Sequence, residues 1–257
     1  MVSQVEAISV SSLTHTTENF GFAIEVDGIA KSYGSNAVLK GVNLQVRKGE
    51  KLTVVGPNGA GKTTLLKILS TISKPAKGTA RIAGFDIVQE AVEVRRRLGV
   101  ISHHPYLYND LTVEENIRFY GMMYDLPDLE HRVSEMAARV GLAHRLHDRV
   151  GTLSRGMQQR VSIARAAIHD PEVMLLDEPD TGLDQQAANM LKSILDGVSG
   201  GERTVIMTTH NLELGLNLCD RIAVLVNGRI AHIEPRGSLD IEGFRRLYYQ
   251  LTEVPKR

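Results

Sequence analysis

Apolar residues follow two rhythms along this 257-residue chain. Between Ala23 and Ile82 they come in short β-prone pieces, Ala23–Val26, Val42–Val46, Lys51–Val55 and Thr79–Ile82. Glycine-containing turns separate these pieces, as in an antiparallel or mixed sheet with short connections. Leu65, Leu66, Ile68 and Leu69 instead take helical spacing, which predicts a helix over Thr63–Ile72. From about Thr112 apolar positions recur at three and four, predicting helices over Val113–Tyr124, Asp128–Val140 and Gly156–Ala167. Beyond them Val173–Asp177, Thr204–Thr208 and Arg221–Val226 are bounded apolar runs of buried-strand type. Helices are expected between these, near Gln185–Leu195 and Leu212–Leu218. Such alternation implies a parallel sheet with helices on both faces. The expected fold is an α/β core interrupted by a helical insertion, preceded by a flexible N-terminal arm over residues 1–21.

Composition narrows the functional classes. Lys and Arg number 30 and Asp and Glu number 30, so the formal charge is zero and the basic footprint of a dedicated nucleic-acid binder is missing. The longest apolar run is the five residues Ile222–Val226, against about 20 needed for a membrane-spanning helix. No Lys or Arg precedes Lys31, unlike the start of a secretory signal. A lone Cys219 excludes an internal disulfide and fits a reducing compartment. A soluble protein is expected, with any membrane role acting through a partner.

Chemistry enters at Gly56-Pro57-Asn58-Gly59-Ala60-Gly61-Lys62-Thr63, which fits G-x-x-x-x-G-K-[ST] between an apolar run and a helix. Glycines let successive backbone N–H groups turn inward around a phosphate, and the helix N-terminus adds partial positive charge. Lys62 would neutralise the β- and γ-phosphates and the Thr63 hydroxyl would ligate Mg2+. Val173–Leu176 then leads into Asp177-Glu178. Read without its context, this is a strand entering a solvated turn. Behind a phosphate loop, Asp177 becomes a metal-sphere carboxylate and Glu178 the group that polarises an attacking water. Ser154 and Gly156 open a helix, either as a simple N-cap or as a second anion site. His210, after Thr204–Thr209, is either structural or within reach of the γ-phosphate. Tyr33 is either an exposed turn residue or a stacking surface for a base.

In this order the motifs resemble the ATP-binding cassette ATPases over about residues 22–235. They run from Tyr33 through Walker A 56–63, the signature 153–157 and Walker B 173–178 to the D-loop Thr181-Gly182-Leu183-Asp184 and the switch His210. The resemblance implies a P-loop NTPase (RecA-like) core with an antiparallel β subdomain and an α-helical subdomain. The ATPase domain would cover 22–238, its helical subdomain about 103–168, and a helical tail 239–257. It implies ATP and Mg2+ as cofactors, with Glu178, His210 and Lys62 catalytic and Thr63 and Asp177 on the metal. Thr64, His103 and Asp184 join the loop residues, Tyr33, Ser154 and Gly156 around the nucleotide. A head-to-tail homodimer is implied, each ATP held between one subunit's loop and the other's Ser154 and Gly156. The pair would dock on a separate integral membrane permease at the cytoplasmic face, with no nucleic acid as partner.

Two departures from the family pattern stand out. Arg155 and Met157 replace the third and fifth residues of Leu-Ser-Gly-Gly-Gln, and His103 stands where the Q-loop glutamine is usual. His103, the stretch Asp110–Tyr120 and the run Ser154–Arg160 are similar to the CcmA-type ATPase of cytochrome c maturation. Haem export is therefore the expected cargo function. ABC-2 type drug and polysaccharide exporters share the Arg-Gly-Met-Gln-Gln run and form the alternative. A soluble cassette ATPase acting on DNA or ribosomes is the competing class.

Overall fold

The computed structural model describes residues 21–102, 105–179, 190–193, 195, 203–238 and 240–252. Strands β1 (Phe22–Tyr33) and β2 (Asn36–Arg47) form an antiparallel hairpin, joined in one sheet by β4 (Lys77–Ile82) and β5 (Phe85–Asp86) in the order β2-β1-β4-β5. Both hairpin strands are 12 residues long, where the sequence pattern predicts only short pieces. Register shifts at Val26/Ile29 and Ile29/Ala30 explain the difference. A bulge breaks the period-two alternation that sequence reading depends on, without ending the strand.

The second sheet has six strands, ordered β10-β9-β3-β8-β7-β6. These are β3 (Lys51–Val55), β6 (Leu98–Ile101), β7 (Val173–Asp177), β8 (Thr204–Thr209), β9 (Arg221–Val226) and β10 (Arg229–Pro235). All neighbours pair in parallel except β10, which runs antiparallel to β9. Strands β7 and β8 are buried along their whole length. Both faces are covered, which is why they read as unbroken apolar runs. The fold is the mixed α/β arrangement expected from the motifs.

Helix α1 (Lys62–Leu69) follows β3 directly. It stops short of the predicted Ile72 because Thr71 turns into the left-handed region (φ 62°), leaving Ile72 exposed. Helix α2 (Ala91–Arg96) precedes β6. Helices α3 (Val113–Met123), α4 (Leu129–Arg139) and α5 (Arg155–Ala167) bury Val113, Ile117, Val133, Met136, Val161 and Ile163 in one apolar cluster. Thr112 and Glu115 start α3 with a reciprocal capping box: Glu115 N–H donates to Thr112 Oγ1 (3.1 Å) and Thr112 N–H to Glu115 Oε2 (2.7 Å). Completely buried Asn116 ties down the preceding loop, donating to the carbonyls of Tyr108 and Thr112 (both 2.9 Å) and accepting from Tyr108 N–H (2.9 Å). Helix α6 (Leu212–Asn217) and the terminal α7 (Ile241–Thr252) cover the β9 end of the sheet through Leu216 and Phe244. No helix among the described residues is long and apolar enough to cross a membrane.

Candidate active site

Strand order decides where the chemistry gathers. β3, β8 and β7 are adjacent and parallel, so their carboxyl ends open onto one edge, the place where ligands of open α/β sheets bind. From β3 comes the loop Gly56–Gly61, from β7 Asp177 and Glu178, and from β8 Thr208, Thr209 and His210.

The loop enters α1 through Gly61, whose φ of 110° is closed to side-chain-bearing residues. Lys62, 6% exposed, folds its side chain back along the loop. Its Nζ donates to the Gly56 carbonyl at 2.8 Å and the Pro57 carbonyl at 3.4 Å, and lies 4.0 Å from Glu178 Oε1. Burial lowers the Lys62 pKa, while Glu178 and Asp177 oppose that shift. The Thr63 hydroxyl donates to Asp177 Oδ1 at 3.2 Å, so one hydroxyl and one carboxylate meet at the start of α1. The Glu178 backbone is left-handed (φ 49°), and its N–H donates to the Thr208 carbonyl at 3.0 Å. Glu178 Oε2 is 3.7 Å from Nδ1 of His210. Lys62, Thr63, Asp177, Glu178 and His210 thus form one connected cluster from three strand ends.

Other candidates lie elsewhere. Tyr33 ends β1 with its ring exposed, and Lys31 Nζ lies 5.4 Å from the ring centroid. Ser154 is the N-cap of α5, its Oγ accepting from Met157 N–H at 3.3 Å, and Gly156 lies in that helix's first turn. His103 and Asp184 lie outside the described residues.

Sequence reading missed two contributors. Thr208 is one: its hydroxyl donates to Asp177 Oδ1 at 2.7 Å. Gly228 is the other. Asn227 and Gly228 both have positive φ (50° and 80°), as a tight hairpin turn between β9 and β10 demands. Gly228 N–H donates to the Ala60 carbonyl at 3.1 Å, and its own carbonyl accepts from Lys40 N–H at 2.9 Å. A Cβ there would meet the Val38 carbonyl oxygen at 2.2 Å. The Asn-Gly pair is legible as a turn, but nothing in the sequence places it under the phosphate loop.

Comparison with known proteins gives consistent results. The family model described as ABC transporter matches residues 39–181. ABC transporter ATP-binding protein NatA of Bacillus subtilis (strain 168) is 35% identical over 205 residues, 79% of this chain and 82% of the relative. Linearmycin resistance ATP-binding protein LnrL of the same organism is 33% identical, covering 84% of this chain and 70% of the relative. Nod factor export ATP-binding protein I of Cupriavidus pinatubonensis (strain JMP 134 / LMG 1197) is 36% identical, covering 84% and 68%. Among solved structures, an ATP-binding subunit of an ABC transporter superposes with a TM-score of 0.79 at 29% identity, covering 89% of this chain and 99% of that one. A dimeric ATP-binding cassette in a post-hydrolysis state, bound to ADP and Pi, superposes with a TM-score of 0.75 at 27% identity, covering 84% and 100%.

Proposed function

The chain belongs to the ABC transporter family as an ATP-binding subunit whose ATP hydrolysis is coupled to transport, and from that premise we propose that it energises an ABC-2 type drug or polysaccharide exporter. The observation that carries the cargo class is the naming of its relatives for linearmycin resistance and Nod factor export. The competing haem-export reading draws on motif likeness at His103, Asp110–Tyr120 and Ser154–Arg160, but drug-type exporters share the last of these, and none of the relatives named above is named for haem.

In this reading the N–H groups of Gly56 and residues 58–63 and the α1 N-terminus cradle the nucleotide's phosphates, with Thr64 beside them, while Tyr33 stacks on the base. Lys62 exchanges the Gly56 and Pro57 carbonyls for phosphate oxygens, which keeps its buried charge paired. Thr63 and Asp177 supply hard oxygen donors side by side. That set suits Mg2+, which is held by one or two carboxylates together with phosphate and water oxygens. When bound, the ion neutralises phosphate charge. Glu178 orients and deprotonates the attacking water, and His210, beside it, stabilises the γ-phosphate oxygens. The α5 N-terminus of a second copy, with Ser154 and Gly156, closes the site from the other side. Asp184 joins the nucleotide site, and His103 with the helical subdomain of about residues 103–168 passes nucleotide state to the permease at the cytoplasmic face of the membrane.

The cargo assignment is tested on the protein purified together with its permease and reconstituted in vesicles. ATPase activity should rise with amphipathic drugs or oligosaccharide conjugates and stay level with haem. Stimulation by haem and by none of the others would replace this reading with haem export.

A further inference from the structure

We propose that Thr208 is the positioning residue for both acidic groups of the site, fixing the rotation of the Asp177 carboxylate and the backbone from which Glu178 projects. This rests on the ATPase reading above. Thr208 is completely buried and stands directly opposite Asp177 in the β7–β8 register. Its hydroxyl has one hydrogen to give. The nearer acceptor is Asp177 Oδ1 at 2.7 Å, with the Leu176 carbonyl at 3.4 Å. A hydroxyl also has lone pairs, and Glu178 N–H approaches the oxygen at 3.3 Å while donating to the Thr208 carbonyl at 3.0 Å. One residue therefore touches the carboxylate of Asp177 and the left-handed backbone of Glu178, a conformation uncommon outside glycine.

Asp177 Oδ1 accepts from two hydroxyls, Thr63 at 3.2 Å and Thr208 at 2.7 Å. Their fates differ. Thr63 opens the phosphate-facing helix and is exposed, so its oxygen is free to turn to a cation. Thr208 has no such freedom, and stays as the donor that keeps Oδ1 occupied and the carboxylate plane fixed. Its neighbour Thr209 lies one residue further along β8, so its side chain points to the opposite face of the sheet, where its hydroxyl oxygen accepts from Asn211 N–H at 3.0 Å in the turn into α6.

Thr208→Val removes the hydroxyl while keeping the β-branched shape and the backbone carbonyl that holds Glu178. The readout is Mn2+ binding to the full chain with a non-hydrolysable ATP analogue, followed by electron paramagnetic resonance, together with steady-state kcat. Loss of an outer-shell partner lowers metal affinity or activity by about 10–100-fold, so both should fall by about tenfold or more. Metal-free affinity for the analogue should stay parental. Thr208→Ser should restore both quantities. If the valine variant melts early, Thr208→Ser and Thr208→Ala give the same contrast, since they differ only in the hydroxyl. Parental Mn2+ affinity and kcat in Thr208→Val would overturn the assignment and leave the ATPase reading standing. A parental protein that binds no Mn2+ with the analogue would remove both.

Discussion

In the proposed function two helix N-termini meet phosphate, and the chain equips them differently. The first turn of α1 is met by groups from neighbouring strand ends: the Thr63 hydroxyl donates to Asp177, Glu178 lies near Lys62, and Thr208 on β8 holds the Asp177 carboxylate and the Glu178 backbone N–H. Among the described residues, the first turn of α5 has its own cap, Ser154 to Met157, and Gln158 Nε2 donating to the Val150 and Leu153 carbonyls, with no acidic residue. Both ends present unsatisfied N–H groups and the same sign of helix dipole. One is completed by its own sheet. The other becomes half of a nucleotide site only when a second copy brings it to a bound phosphate, as in the proposed dimer.

The largest effects should fall at the completed end. Lys62→Ala should abolish ATP binding in equilibrium fluorescence titration. Glu178→Gln should retain binding and lower phosphate release by about 10²–10⁴-fold, the usual contribution of a general base. Parental turnover in Glu178→Gln would remove the base assignment and make the two ends less different than described.

Acid should separate the two regions next. His169 follows α5 and stacks on Tyr124 beyond α3, with ring centroids 3.8 Å apart. Burial, aided by nearby Arg203 and Arg165, lowers its pKa from 6.5 to about 4. The unfolded chain therefore takes up a proton at His169 before the folded one does, and stability falls as pH drops from about 6.5 towards 4. Between pH 7 and 5 the loss should be about 2 kcal/mol. Urea melts of the parent and His169→Asn at both pH values isolate it, and equal pH slopes in the two proteins would contradict it.

The smallest effect sharpens the contrast most. Ser154→Ala should cost about 1 kcal/mol as a lost N-cap and should leave ATP affinity of the isolated subunit unchanged. ATP-driven dimerisation in Glu178→Gln, followed by light scattering, should weaken when Ser154→Ala is added. If dimerisation is unaffected, Ser154 is a cap and nothing more.

Much of this was legible in the chain. Gly56–Thr63 and Val173–Glu178 are local patterns whose chemistry depends on a few consecutive residues, so their strand and helix contexts could be read directly. Thr208 and Gly228 could not, because their importance comes from what lies across a strand boundary. A threonine in an apolar run is ordinary for a buried strand, and Asn-Gly is ordinary for a hairpin. The length of β1 and β2 was hidden by bulges that scramble alternation.

What the sequence determined by itself is the set of local devices: a phosphate loop followed by a helix, an acidic pair after a buried strand, a capped helix opening with Ser154, and the order in which they occur. Tertiary structure alone decided that β8 lies between β3 and β7, and with it that Thr208 reaches Asp177 and Glu178 while the hairpin at Gly228 supports Ala60. The physical reason is range. Capping, turn and helix preferences act over a few residues and leave a trace in spacing, whereas strand order is set by burying both faces of a sheet built from segments far apart in the chain.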